Sequence, residues 1–362
     1  MLIFLSFLMA VSFVVLLVFG IFKKIYMGIK EKRIAAGIFA VKEKIDTLLN
    51  AADEDFLDSL DEFAWEACGK DIKNREKLDE YLLNTLELSG TANRDRIKTI
   101  ARKLGFPAEC LEQIKSGKSR MIAHGSRRAG LYNFEEAAEE MVSALEILST
   151  ENQFEILMGL ARMGAADAMQ RAFKKIKDNV IVSERAVIDI LSSFPQGEEK
   201  VNLFRTMIHG ETNYITALFL KAVDKNMAKA LRDDIVSVLH DGNKEIRTAA
   251  LRGLATLECE APEAELINLL EDQDWEVRAL AAKALGFIKN EDASFALFKA
   301  INDQQWWVRQ NVVSALSKHH GYETLFVLAS EMGDEYTRDS IMSTLENSGS
   351  PLLLRSLKIM KV

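Results

Sequence analysis

This chain is short of helix breakers and of the motifs that carry chemistry. It has 4 prolines in 362 residues, so few points where a helix must lose a donor and stop. Its three cysteines, Cys68, Cys110 and Cys259, are isolated and no CxxC exists. That removes the usual zinc spacings, and three unpaired thiols fit a reducing compartment. The five histidines are His124, His209, His240, His319 and His320. None forms HExxH, and His319-His320 reads as a solvated turn between helices. There is no GxxxxGK followed by Ser or Thr, no GxGxxG and no GxSxG. Excess positive charge is missing too. The net charge is −8 and the pI about 5.4, which argues against a whole-molecule nucleic-acid binder. What remains is rich in Ala, Leu, Glu and Lys, a composition that favours helix throughout.

One long apolar run is present. Leu2 to Phe22 carries no charge and matches the ~20 residues a bilayer core needs. No basic side chain precedes it, and Lys23, Lys24, Lys30, Lys32 and Arg33 follow. The run therefore predicts an uncleaved single-pass anchor rather than a signal peptide. The positive-inside rule then puts the N-terminus outside the inner membrane and the remainder in the cytoplasm. Apolar residues from Ile25 to Leu48 continue at helical spacing. They predict a neck that packs into the next helices, with a basic face on anionic lipid as the alternative.

Charge then comes in blocks. Asp53 to Glu62 is acidic. Arg94, Arg96, Lys98, Arg102, Lys103, Lys115, Lys118, Arg120, Arg127 and Arg128 form a diluted basic block. Such a block usually solvates a helix face; a patch facing membrane or partner is the sharper alternative. Gly105-Phe106-Pro107 marks a helix boundary inside it.

The strongest pattern is a repeat. Asp241–Arg247, Asp272–Arg278 and Asp303–Arg309 each separate Asp from Arg by six positions and recur every 31 residues (272−241 and 303−272). A fourth Arg, Arg338, follows at 29, and Met332 fills its Asp slot. A period of this length means stacked helical hairpins. Ala250, Leu251 and Leu254, with Ala281, Ala282 and Leu285, and Val312, Val313 and Leu316, fall on one face of each first helix. Second helices follow over Leu266–Leu270, Phe295–Ile301 and Leu325–Leu328. Stepping back by 31 reaches Thr216 and Arg185, where the apolar pattern persists without the Asp. The count is about seven or eight units.

The stretch Asp272-Gln273-Asp274-Trp275-Glu276-Val277-Arg278 through Gly286, with its partners at 31, resembles HEAT repeats of the kind also seen in phycobilisome-lyase-type proteins. The resemblance is specific from about 240 to 320 and weakens toward 119. It implies that Asp241, Arg247, Asp272, Arg278, Asp303 and Arg309 form a hydrogen-bonded ladder between neighbouring repeats. The layout as a whole is similar to bacterial membrane-anchored HEAT-repeat proteins, some of which belong with polysaccharide-making machinery.

The expected fold is all-α. A transmembrane anchor (1–23) leads to a helical neck and N-terminal helical region (24–115), then a HEAT-like α-solenoid (116–362). Trp275 and Trp306 occupy equivalent positions, and Trp307 adds a third ring. They read either as packing at the helix start or as an aromatic ridge for a partner. The functional expectation is a non-enzymatic scaffold at the cytoplasmic membrane face. It docks a protein partner, with a polysaccharide-synthesis enzyme as one candidate, and needs no metal and no cofactor. Two alternatives remain: a lyase-like or chromophore-handling enzyme, and a nucleic-acid binder using the basic block.

Overall fold

In the computed structural model the described residues are 23, 24, 26, 42–52, 55–57, 59–61, 63, 72–146, 149–176, 182–210, 213–319 and 335–348. Among them every regular element is a helix. The chain divides into two compact units, Met1–Ala137 and Ala138–Val362.

The membrane expectation is corrected here. Among the described residues no helix is long and apolar enough to cross a bilayer. The helix Ile72–Leu88 reaches only 17 residues and is studded with Lys, Arg, Asp and Glu, against the ~20 apolar residues a span requires. The run Leu2 to Phe22, which alone carried that expectation, lies outside the described residues. The placement at the inner membrane, with an outside N-terminus, is therefore withdrawn.

The first unit contains α1 (Ile72–Leu88), α2 (Thr91–Lys103), α3 (Phe106–Lys115) and α4 (Ser119–Tyr132). Gly105 takes a left-handed φ of 78° between α2 and α3, which glycine adopts without strain, and Pro107 sits at the start of α3. The Gly-Phe-Pro signal thus closes one helix and opens the next. α3 and α4 pack very closely. A Cβ on Gly125 would stand 2.9 Å from both the Cys110 carbonyl oxygen and Gln113 Cβ. Glycine at 125 is what lets the two backbones approach.

A buried polar knot ties α1, α3 and α4 together. Arg128 is 3 % exposed, Asp79 6 % and Tyr132 0 %. Tyr132 donates to Asp79 Oδ1 at 2.8 Å. Arg128 Nε lies 2.8 Å from Asp79 Oδ2 without the alignment of a hydrogen bond. Arg128 Nη2 donates to Glu109 Oε2 at 3.2 Å, and Arg75 grips the other oxygen of Glu109 at 2.6 and 3.0 Å. Both guanidiniums stand over the Phe106 ring. Burial pushes the Asp79 carboxyl above its ordinary value, against the pull of Arg128 and Tyr132. Burial also pushes the Cys110 thiol up to about 12, so it is an inert packing group rather than a nucleophile.

The basic block is therefore not one free face. Besides Arg128, Arg96 Nη1 donates to the carbonyls of Leu49 and Ala51 at 2.9 and 2.8 Å, tying down the end of the helix over 42–50. Arg102 bonds Glu136 and the Asn133 carbonyl, and Lys103 meets Asp61 at 2.6 Å.

The second unit is a stack of helical hairpins in two rows. The first row runs through α6 (Thr150–Met163), α8 (Glu184–Ser192), α10 (Asn213–Lys221), α13 (Lys244–Ala255), α15 (Trp275–Leu285), α17 (Trp306–Leu316) and α18 (Glu335–Ser348). Each of these packs on the next. The second row comprises α5 (Ala138–Ala144), α7 (Ala166–Ile176), α9 (Glu198–Ile208), α12 (Arg232–Ser237), α14 (Glu263–Asn268) and α16 (Glu291–Lys299). A short helix, α11 (Lys225–Ala230), joins α10 to α12. α14 and α16 each run on into a single 3-10 turn. Local signals start many of these helices. Ser149, Ser183, Asp224 and Asn290 cap their helices by accepting the backbone N–H three residues on.

All nine apolar positions predicted for the first-row helices, from Ala250 to Leu316, are 0 % exposed. No single hairpin could cover them, so the neighbours do. Leu325 to Leu328 lie outside the described residues. His319 is corrected: it is 3 % exposed, not solvated. Its Nε2 lies 3.1 Å from the Leu285 carbonyl oxygen and its Nδ1 2.6 Å from Ser294 Oγ, so it bridges the ends of two elements in the preceding hairpin.

Candidate functional site

The repeat residues come together at the N-terminal ends of α13, α15 and α17. Each Asp first shapes its own turn. Asp241, Asp272 and Asp303 accept, on Oδ1, the N–H two residues on, from Asn243, Asp274 and Gln305 at 2.7, 2.8 and 2.8 Å. These are Asx-type turns that lead the chain into the helix. Each Arg then reaches back to its own turn. Nη1 of Arg247, Arg278 and Arg309 donates to the carbonyls of Asp241, Asp272 and Asp303 at 2.8, 2.8 and 2.7 Å.

The ion pairs run to the next repeat, 25 residues on. Arg247 Nε and Nη2 hold the two oxygens of Asp272 at 3.0 Å each. Arg278 holds Asp303 at 2.7 and 3.0 Å. Both are bidentate fork contacts, the strong geometry for Arg and carboxylate. Arg247 also takes Asp274 Oδ2 at 2.6 Å. Asp272 and Asp303 are 10 % and 11 % exposed. Hydrogen bonds donated to these carboxylates hold both guanidiniums above their ordinary pKa against the opposing effect of burial, which is the largest single influence on Arg247.

Four of the six ladder residues therefore form two rungs. The outer two do not. Thr216 stands where a preceding Arg would reach Asp241, and its hydroxyl bonds the Met207 carbonyl instead. Arg309 is 6 % exposed, yet its Nε has no hydrogen-bond partner and its guanidinium lies over the Tyr336 ring, 5.4 Å from the centroid. The rung spacing also revises the last repeat. Counting 25 from Arg309 reaches Asp334, outside the described residues, and counting 31 reaches Ser340, which is buried. Arg338 is exposed and holds no ladder slot.

The tryptophans border the ladder. Trp275 is half-buried, whereas Trp306 and Trp307 are 47 % and 57 % exposed and meet edge to face at 4.6 Å. Tyr336, in the next helix of the row, is 64 % exposed, with its ring against the Arg309 guanidinium. Lys244 pairs with Glu276, 32 apart at 2.9 Å, and Trp275 and Trp307 hold the equivalent positions 31 residues on. An ion pair in one step of the stack is replaced by aromatic rings in the next. Among the described residues no three His, Cys, Asp or Glu side chains gather as a metal site.

Two rows of antiparallel helices packed hairpin on hairpin define an α-solenoid. Within it, residues 232–317 and 263–343 match the family model for HEAT repeats, so this stretch of the array is built of HEAT repeats. Two crystal structures of engineered proteins from the Northeast Structural Genomics Consortium are similar in part. One is 16% identical with a TM-score of 0.34, covering 86% of this chain and 99% of its own. The other is 17% identical with a TM-score of 0.28, covering 67% and 96%. Among curated proteins, none matches this chain.

Proposed function

We propose that this protein is a non-enzymatic scaffold whose HEAT-repeat array docks another protein. The observation that carries this is the exposed, edge-to-face ring pair of Trp306 and Trp307. A core has no use for large rings left half in water. Partner surfaces, in contrast, draw their binding energy from Trp, Tyr and Arg. Trp306 and Trp307 also sit just after Asp303, the carboxylate of the Arg278 rung, so they are presented without a large ordering cost. The tied arginines at 96, 102 and 128 count against the nucleic-acid alternative, and no observation favours the lyase-like one.

The test is a photo-crosslinking amino acid placed at Trp307 of the full chain in its native cells. A single dominant protein adduct, lost in Trp306→Ala while the melting temperature stays within a few degrees, is the expected result. A sharp drop in melting temperature would make the rings structural. Copurification of a stoichiometric metal, nucleotide or pigment would overturn the scaffold reading.

A further inference from the structure

A second surface on the array has its own chemistry. Between α14 and α16, in the second row, lies an open groove of about 650 Å³, a size that takes several side chains of a ligand. Its floor is apolar, formed by Ile267, Leu270 and Phe295. Phe295 is 58 % exposed, although Ala293 and Leu297 on the same helix are 0 % exposed. The helix is anchored without Phe295, and the ring is left to the groove.

The rim is acidic. Glu263, Glu271 and Asp292 stand around the floor against one lysine, Lys299. A fourth carboxylate, Asp303, is already held by Arg278. Glu263 Oε2 accepts from Asn290 Nδ2 at 2.8 Å, but Oε1 is buried with no donor. Lys299 already places its ammonium 4.5 Å from the centre of the Phe295 ring. That ring face thus takes a cation, as the aromatic quadrupole favours.

We propose that this groove receives a basic amphipathic segment of a partner protein. Its apolar side chains settle on Ile267, Leu270 and Phe295, and its Lys or Arg side chains bond Glu263, Glu271 and Asp292. The proposal rests on the scaffold reading and adds the charge and pattern of what is bound. Helical amphipathic segments in grooves are read at three-to-four spacing, and acidic rims speed and select basic ligands.

The experiment titrates the full chain into a fluorescent synthetic helix of Leu and Lys in amphipathic order. A Leu/Glu version and a scrambled Leu/Lys version serve as comparison probes. The amphipathic Leu/Lys probe is expected to bind with marked salt dependence, the Leu/Glu probe not at all, and the scrambled probe at least about tenfold more weakly. Phe295→Ala and Glu271→Lys/Asp292→Lys should each weaken binding about tenfold or more, as lost anchors do. Asp233→Lys/Glu198→Lys makes the same charge change outside the groove and should stay within about twofold. Trp306→Ala/Trp307→Ala should bind the probe like the parent, which separates this groove from the ring pair. No binding, equal binding of the scrambled probe, or equal weakening by the two charge-reversed pairs overturns the groove proposal. The crosslinking result at Trp307 is untouched by any of these outcomes.

Discussion

The chain buries charge in two different ways. In residues 75–132 a single knot joins Asp79, Arg128, Tyr132, Glu109 and Arg75, drawn from three helices with irregular spacing. In residues 247–303 one Arg–Asp contact is made twice, 25 residues apart each time. The chemistry is the same: a guanidinium desolvated beside a carboxylate. The difference lies in how the partners are reached. The knot needs one particular packing of α1, α3 and α4, so losing any member strands the others. The ladder is modular. Each rung joins only neighbouring hairpins, and it ends where Thr216 replaces the Arg at one side and where Arg309 holds no carboxylate among the described residues at the other.

The comparison is tested most severely at Arg128. Arg128→Met keeps the packing volume but leaves Asp79 and Glu109 short of a cation. Breaking a pair this buried should cost about 3–5 kcal/mol in urea unfolding. Arg127→Met, on the exposed side of the same helix, should stay within about 0.5 kcal/mol. Equal midpoints for the two variants would mean the knot has no charge-specific role.

The ladder should show a smaller, graded effect. Arg278→Ala strands Asp303 and should cost roughly 1–3 kcal/mol. Arg309→Ala removes two carbonyl contacts and no carboxylate partner among the described residues, so about 1 kcal/mol is expected. Lys283→Ala, exposed in the same helix as Arg278, should cost well under about 1 kcal/mol. Thermal melts of the three variants check the order. If Arg309 proved as costly as Arg278, the distinction between closed rungs and an open end would be lost.

The smallest effect sharpens the knot. His124 contacts Gln113 Oε1 at 3.1 Å and sits near Arg128. Burial first, and the Arg128 charge second, lower its pKa below the ordinary 6.5. The folded state therefore prefers neutral His124. Its contribution is present above pH 6.5 and is lost as the pH falls through the lowered value. Because the ring is partly solvated, the loss should be under about 0.5 kcal/mol. Melting curves at pH 7.5 and 5.5 should show less acid destabilisation for His124→Gln than for the parent, and an unchanged difference would remove His124 from the account.

Much of the second unit was legible without coordinates because repetition makes a pattern visible. A 31-residue period marks equivalent positions. Three-to-four spacing then identifies the buried face, and Ala250 through Leu316 follow it at every predicted site. The six-residue spacing by itself does not say which Asp each Arg meets. The resemblance to HEAT repeats implied contacts between neighbouring repeats, and two such rungs are present. The stack sends the forks of Arg247 and Arg278 to the carboxylate 25 residues ahead and the remaining nitrogen of each to the near backbone. The six-residue interval records turn geometry; the ion pair belongs to the next hairpin.

Sequence by itself determined the helical content, the period, the core faces of α13, α15 and α17 and the four residues that form the two rungs. All of these are local or periodic properties, carried by spacing along one chain. Tertiary structure alone decided what surrounds each polar side chain. Arg128 and Arg127 are adjacent, yet one is 3 % exposed and the other lies in solvent. His319, at a turn, is buried because Leu285 and Ser294 close around it. Trp275 is half-covered while its repeat-mate Trp306 is exposed. Burial depends on which distant residues arrive beside a given one, and no short-range spacing encodes that.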